Sequence, residues 1–218
     1  MIYRKLAVIF IVSYLIGSIS FAIVISKTVY KKDIRTFGSG NAGMTNMLRT
    51  FGKGAAAATF AGDFLKGTVS VLFAKMFMAH YWPVMNINYP FFYDVAMYVA
   101  VGGALLGHLK PLYFGFKGGK GISVAFGSVV AATPVTTLMA FGVWGIVMWT
   151  SRIVSLSSIL AVISYTAFTY ASFCITKTIS IPNRIAAVIF PAVIIYAHRT
   201  NIKRLLNGTE YRFGEKKK

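Results

Sequence analysis

Three polar stretches hold the residue types that could do chemistry. The first reads Gly38-Ser39-Gly40-Asn41-Ala42-Gly43-Met44-Thr45-Asn46, with Arg49 just beyond. Small residues let a backbone turn tightly and aim N–H groups at an anion. Ser39, Asn41, Thr45 and Asn46 add neutral donors, and Arg49 adds a planar double donor suited to phosphate. The match to G-x-G-x-x-G is weak support for a dinucleotide fold, which needs a preceding strand inside a βαβ unit. A plain Gly/Asn-rich turn accounts for the same residues.

The second stretch runs Gly107-His108-Leu109-Lys110-Pro111, then Phe116-Lys117-Gly118-Gly119-Lys120-Gly121. Its glycines and the pair Lys117 and Lys120 again suit a phosphate. It is not the nucleotide P-loop: Gly115 sits one residue too close to Gly119-Lys120, and Gly121 stands where Ser or Thr is required. A basic anchor with a flexible turn is the plainer alternative. The third stretch, His198-Arg199-Thr200-Asn201 onward, puts His198 and Asn201 on one face if a helix continues through it. Histidine exchanges a proton near neutral pH, and an asparagine carbonyl can orient a hydroxyl. A basic tail holding anionic headgroups fits the same composition. Asn207-Gly208-Thr209 matches a glycosylation acceptor, but a cytoplasmic position makes its use unexpected.

The elements that must position these stretches are apolar. Hydrophobic residues are 56% of the 218-residue chain and charged residues 13%, about half the share in a soluble domain. That balance excludes a soluble enzyme, a disordered chain and, with one cysteine, a disulfide scaffold. The expected class is an all-α polytopic membrane bundle, organised as a single domain over residues 1–218. Residues 6–26 form an uncharged retained span, not a signal peptide. Apolar runs follow at 55–78, 94–109, 122–150, 153–176 and 185–197, the last starting a few residues earlier. Residues 80–93 resemble an interfacial aromatic belt. Pro134 ends or kinks the long run 122–150, giving two short spans and seven in all, or one kinked span and six; Pro191 breaks the last run.

Charge bears on the count. With seven spans one side carries 17 Lys/Arg: six in 27–53, three in 110–120, Arg152, and seven in 199–218. The other side carries 5, namely Arg4, Lys5, Lys75, Lys177 and Arg184. The net charge of +18 is therefore read as cations kept in the cytoplasm, not as a nucleic-acid footprint. The amino terminus is then outside, and the carboxyl terminus and all three stretches are cytoplasmic. Five spans with part of the C-terminal half re-entrant satisfy the same bias. Asp63 and Lys66, three apart inside a span, read as a structural ion pair. Cys174 lies in an apolar span without a basic neighbour and is not expected to be reactive; His80 reads as interfacial.

Taken together and in order, the stretches resemble the bacterial membrane acyl-phosphate:glycerol-3-phosphate acyltransferase family. The resemblance rests on Tyr14-Leu15-Ile16-Gly17-Ser18, on Asp33-Ile34-Arg35 through Asn46, and on Asp63-Phe64-Leu65-Lys66-Gly67. It continues through Gly107-His108, Phe116 to Gly121, and His198-Arg199-Thr200-Asn201-Ile202-Lys203-Arg204-Leu205-Leu206. Lys110 replaces an expected aromatic residue and Ser20 an expected proline; neither is a phosphate-binding position. The resemblance implies a multi-pass enzyme of the bacterial inner membrane with its active site facing the cytoplasm. It would move a fatty acyl group from acyl phosphate to the 1-hydroxyl of glycerol 3-phosphate. The products would be 1-acyl-glycerol 3-phosphate (lysophosphatidic acid) and phosphate, in the first acylation of phospholipid synthesis. No His-x-x-x-x-Asp occurs in the chain, so the common His/Asp acyltransferase mechanism is not available.

Acyl phosphate is a mixed anhydride with a good leaving group, so positioning and charge neutralisation suffice. On this reading Ser39, Gly40, Asn41, Ala42, Gly43 and Thr45 cradle the acyl phosphate, with Asn46 and the turn Lys117, Gly118 and Gly119 beside them. Lys120 meets both phosphates. Arg49 and His198 bind glycerol 3-phosphate, Ser155 and Arg199 add contacts, and Asn201 orients the attacking hydroxyl. The proton goes to the donor's own phosphate or to His198. No metal or other cofactor and no nucleic acid is expected; the partners are the two substrates, the bilayer and, as a candidate, the enzyme that supplies acyl phosphate. A transporter of an organic phosphate or anion would share the basic loops and the intramembrane ion pair.

Overall fold

The structure, a computed structural model, describes residues 2–80 and 91–214 and is all-helical over them. Most of the expected aromatic belt lies outside the described residues. The chain divides into two compact units, residues 1–132 and 133–218.

In the first unit α1 (Ile2–Gly17) and α2 (Phe21–Thr28) together make the first apolar span, Tyr3–Thr28. The sequence suggested an unbroken run here, yet the helix is interrupted at 18–20. The Ser18 hydroxyl donates back to Tyr14 O at 2.8 Å, and Ser20 is extended at φ −89°, ψ 100°. Such back-bonding competes with the helix ladder. The carbonyl of Ile19 left over at the break accepts from Lys66 Nζ at 2.6 Å. After the loop of residues 29–43, loop one, come α3 (Met44–Phe51) and the 27-residue α4 (Lys53–Ala79). At ~1.5 Å per residue α4 is long enough to span, but its composition is less apolar than that of the other long helices.

Helix α5 (Phe92–Leu109) packs on α1 through glycines. A Cβ on Gly107 would strike Tyr14 O, and one on Gly103 would lie 2.7 Å from Phe10 O. This is the small-xxx-small contact by which membrane helices gain van der Waals packing without a hydrophobic driving force. The short α6 (Ile122–Ala132) packs on α4 in the same way, through Gly67 and Gly127.

The second unit begins where proline was expected to interrupt the long apolar run. Thr133 leaves the helical region and Pro134 opens α7 (Pro134–Ser151), where its missing N–H costs nothing. Arg152, in the left-handed region at φ 57°, turns the chain into α8 (Val154–Thr176). Helix α9 (Ile181–Ala197) runs through Pro191 without a break, contrary to expectation, and that proline is buried. At His198 the chain bends by 63° into α10 (Arg199–Leu206).

Four helices among the described residues are long and apolar enough to cross a bilayer: α1 with α2, α5, α7 and α8. The bent pair α9 and α10 makes a fifth if it is one span. Their settings differ sharply. Of the apolar window of α5, 61% is buried within the protein, against 11% for α7 and for α8. Cys174 on α8 is accordingly exposed.

Candidate functional site

Loop one is built around two polar clamps. Asp33 accepts from the Arg35 backbone N–H at 3.0 Å and from its guanidinium at 2.7–3.3 Å, with Lys27 at 3.4 Å. The Arg35 hydrogen bonds hold the Asp33 carboxyl far below the usual carboxylate range, although burial opposes this. The second clamp is Asn46, 1% exposed. Its amide donates to Ile34 O and Phe37 O at 3.1 and 2.9 Å, and its carbonyl accepts from Ser39 N at 3.0 Å. Both amide hydrogens are spent, so Asn46 shapes the loop and is not a spare donor for an anion.

Around that clamp Gly38 and Gly40 take φ of +57° and +70°, a region that favours glycine. Gly43 then caps α3, so residues 38–43 lead into a helix N-terminus. The first N–H groups of a helix carry partial positive charge and point outward, a ready-made anion site. Ser39 and Gly40 are exposed, Asn41 and Thr45 half-buried, Ala42 and Gly43 buried, and Arg49 sits half-buried on α3.

Loop two, residues 110–121, meets loop one at the same end of the first unit. Arg35 Nη1 donates to Phe114 O at 2.7 Å, and Gly119 N donates to His108 O at 3.1 Å. A Cβ on Gly118 would strike His108 O, and one on Gly119 would lie 2.6 Å from Ala42 O. Close backbone approach thus explains the double glycine, and it brings half-buried Lys120 beside loop one. Between the loops opens a cleft of about 730 Å³, lined among others by Lys27, Arg35, Gly40, Lys117 and Gly118.

In the second unit two of the residues singled out from the sequence, His198 and Asn201, gather at the bend. His198 is the N-cap of α10 and Asn201 lies in its first turn; they are 4% and 5% exposed. The helix does not continue through them, yet the bend keeps both on the buried side. His198 Nδ1 is 2.8 Å from Ile194 O. A carbonyl can only accept, so Nδ1 carries a proton and neutral His198 has its lone pair on Nε2.

The residue that sequence reasoning passed over is Glu210. Its Oε1 accepts from Asn201 Nδ2 at 2.7 Å and Ser155 Oγ at 2.9 Å, and its Oε2 from Arg204 Nε at 2.6 Å. Burial disfavours its charge, but the hydrogen bonds from Arg204, Asn201 and Ser155 outweigh that and hold its carboxyl below the ordinary value. Its rarity was the available signal, since the chain has 5 Asp+Glu. Glu210 fixes the Asn201 side chain through its amide. Ser155 has spent its one hydrogen on Glu210 and keeps only acceptor capacity, which suits a hydroxyl and not a phosphate oxygen. Arg199 points elsewhere: it is exposed, with its guanidinium 4.7 Å from the Tyr196 ring centroid and bonded to Tyr196 O. Phe213 N donates to Arg152 O at 2.6 Å, tying the C-terminal segment to the α7–α8 turn.

Comparison with known proteins gives a consistent result. A family profile described as glycerol-3-phosphate acyltransferase matches residues 7–208. A glycerol-3-phosphate acyltransferase of Clostridioides difficile is 41% identical over 213 residues, covering 96% of each chain. One of Neisseria meningitidis serogroup A is 38% identical over 206 residues, covering 94% of this chain and 96% of its own. Among solved structures, the glycerol 3-phosphate form of PlsY, an integral membrane glycerol 3-phosphate acyltransferase, superposes with TM-score 0.80 at 40% identity over 96% of both chains. Its lysophosphatidic acid form gives 0.77 at 39%, over 96% of this chain and 95% of that one.

Proposed function

The chain belongs to the glycerol-3-phosphate acyltransferase family, and from that membership we propose the reaction it performs. It transfers a fatty acyl group from acyl phosphate to the 1-hydroxyl of glycerol 3-phosphate. The hydroxyl oxygen bonds to the acyl carbon, the acyl–oxygen bond to phosphate breaks, and lysophosphatidic acid and inorganic phosphate leave. The observation that carries this reading is the meeting of two glycine-rich loops at one end of the first unit, joined by Arg35 to Phe114 O and by the approach of Gly119 to Ala42 O. Two such loops offer backbone and lysine donors for phosphate.

Residues 39–45 cradle the acyl phosphate, Lys117 and the Gly118-Gly119 turn flank it, and Lys120 neutralises phosphate charge. Arg49 and His198 bind glycerol 3-phosphate. Asn201, held by Glu210, accepts a hydrogen bond from the attacking hydroxyl. The hydroxyl proton passes to the leaving phosphate or to His198 Nε2. Ser155 positions Glu210, and Asn46 shapes the cradle. The family match runs through both units, which supports one catalytic domain.

The protein sits in the cytoplasmic membrane with its carboxyl terminus and basic loops inside, as the bias of 17 cations to 5 supports. Seven passages satisfy it, with α6 a short one. The 11 residues of α6 cover only ~16 Å, which also suits a reading in which α6 and α7 re-enter together and five passages remain.

The test uses the full chain purified in detergent and supplied with acyl phosphate and glycerol 3-phosphate. Phosphate released in step with lysophosphatidic acid is the expected result. Unchanged substrate, with uptake of glycerol 3-phosphate into sealed vesicles, would replace the reading with transport.

A further inference from the structure

Three charged or titratable side chains are buried together where α4 meets α5. Asp63, Lys66 and His108 are 1%, 4% and 3% exposed. Lys66 Nζ lies 2.9 Å from Asp63 Oδ1, 2.6 Å from Ile19 O and 3.1 Å from His108 Nδ1, while His108 Nδ1 to Asp63 Oδ1 is longer at 3.6 Å. The ion pair keeps Lys66 an ammonium, because an uncompensated buried carboxylate is strongly disfavoured. An ammonium has three donors and no acceptor. His108 Nδ1 must therefore accept, and the ring proton of the neutral imidazole sits on Nε2.

That Nε2 edge faces the phosphate loops. A Cβ added to Gly119 would fall on His108 Nε2, 2.9 Å from Cε1 and 2.6 Å from Ala42 O. The main chain of the same residue takes Gly119 N at its carbonyl. His108 thus takes the Gly119 N–H at its carbonyl and packs its ring edge against the Gly119 main chain, while Lys66 ties it to the helix break at Ile19.

We propose that His108 is a positioning residue, locked by the Asp63–Lys66 pair as the Nε2-protonated tautomer, which braces the Gly119 turn against loop one so that Lys120 is pre-set for phosphate. The kinetic half of this proposal rests on the acyltransferase reading; the tautomer does not.

Two measurements test it. In the purified full chain, ¹⁵N-histidine NMR should give one neutral ring with a bare Nδ1 and a protonated Nε2. Its signals are assigned to His108 by their persistence in His80→Gln and His198→Gln. An Nδ1-protonated or doubly protonated ring at His108 overturns the locking. For the brace, His108→Asn keeps an acceptor near the Nδ1 position for Lys66 but removes the Nε2 edge. The expected result is a roughly tenfold rise in KM for acyl phosphate from the lost packing against the turn, with kcat within about threefold and the melting temperature near wild type. An unchanged KM overturns the brace, and so does an equal fall in kcat and melting temperature that His108→Gln, which restores a group near the Nε2 position, fails to reverse. If the wild-type chain itself makes no lysophosphatidic acid, the family reading fails instead, and the NMR result still decides the tautomer.

Discussion

Glu210 offers a perturbation whose size can be worked from its partners. In Glu210→Ala the Asn201 amide and the Ser155 hydroxyl lose their shared acceptor while both residues stay buried. Each orphaned donor costs about 1–3 kcal/mol. Arg204 is 38% exposed at its side chain and rehydrates, so its lost pair costs about 1 kcal/mol or less. The total is about 4 kcal/mol, and the Asn201 side chain is released. Glu210→Gln behaves differently. Its carbonyl oxygen can still serve Asn201 and Ser155, leaving an amide opposite Arg204, so the cost falls to about 1–2 kcal/mol. Phosphate release should be measured against varied glycerol 3-phosphate, with thermal melting in the same detergent. The alanine variant should lose roughly a hundredfold in kcat, the usual scale for a misplaced reacting group, and the glutamine variant less than about tenfold. KM for glycerol 3-phosphate should move little in either. An alanine variant that keeps wild-type kcat, or a glutamine variant as inactive as alanine, refutes the idea that Glu210 works by fixing Asn201. The pH sign is also set. Because the folded carboxyl titrates below its ordinary value of 4.5, its stabilisation is whole above that value and is lost as pH falls through the folded one.

Asn201→Ala should cut kcat about a hundredfold while leaving KM for glycerol 3-phosphate nearly unchanged; near-normal turnover would remove its orienting role. Gly119→Ala drives a methyl into the His108 ring and Ala42 O, so it should lower stability by about 1–3 kcal/mol and raise KM for acyl phosphate. Gly54→Ala, which meets nothing within 4 Å, is the control: activity unchanged, and melting slightly higher by the lower entropy of its unfolded chain. Arg35→Lys cannot reproduce a guanidinium that reaches Asp33 and Phe114 O together, so acyl phosphate affinity should drop, measured as KM. Since Asp33 titrates far below its ordinary 3.8, the wild-type clamp should persist across the working range and fail only well under that value.

What could be read from the chain without coordinates followed how local its cause was. Pro134 at a helix start needs only the proline's own geometry, and the break appears where expected. Pro191 carries the same chemistry but runs through an intact helix with its own ring buried, an outcome that local sequence does not decide. The pause at residues 18–20 was invisible because its orphan carbonyl is satisfied by Lys66, 47 residues away. The glycine loops suggested tight turns through composition, and their left-handed residues fit that. Their wiring did not: Asn46 looked like one more donor until its amide was found turned inward on Ile34 and Phe37. Asp63 with Lys66 was evident from helical spacing, whereas His108, 42 residues from Lys66, joins them only through packing of α4 on α5.

The uneven burial of the long helices has a bearing on where this protein can work. Helices α7 and α8 leave most of their apolar length uncovered by the rest of the described chain, which suits contact with hydrocarbon tails. Side support for the Arg152 turn, and for the strap that Phe213 makes to it, then depends on how thick and how fluid the surrounding leaflets are. A transferase that manufactures membrane precursors would in that way feel the composition of the sheet it is building, through the half of the chain that holds Asn201.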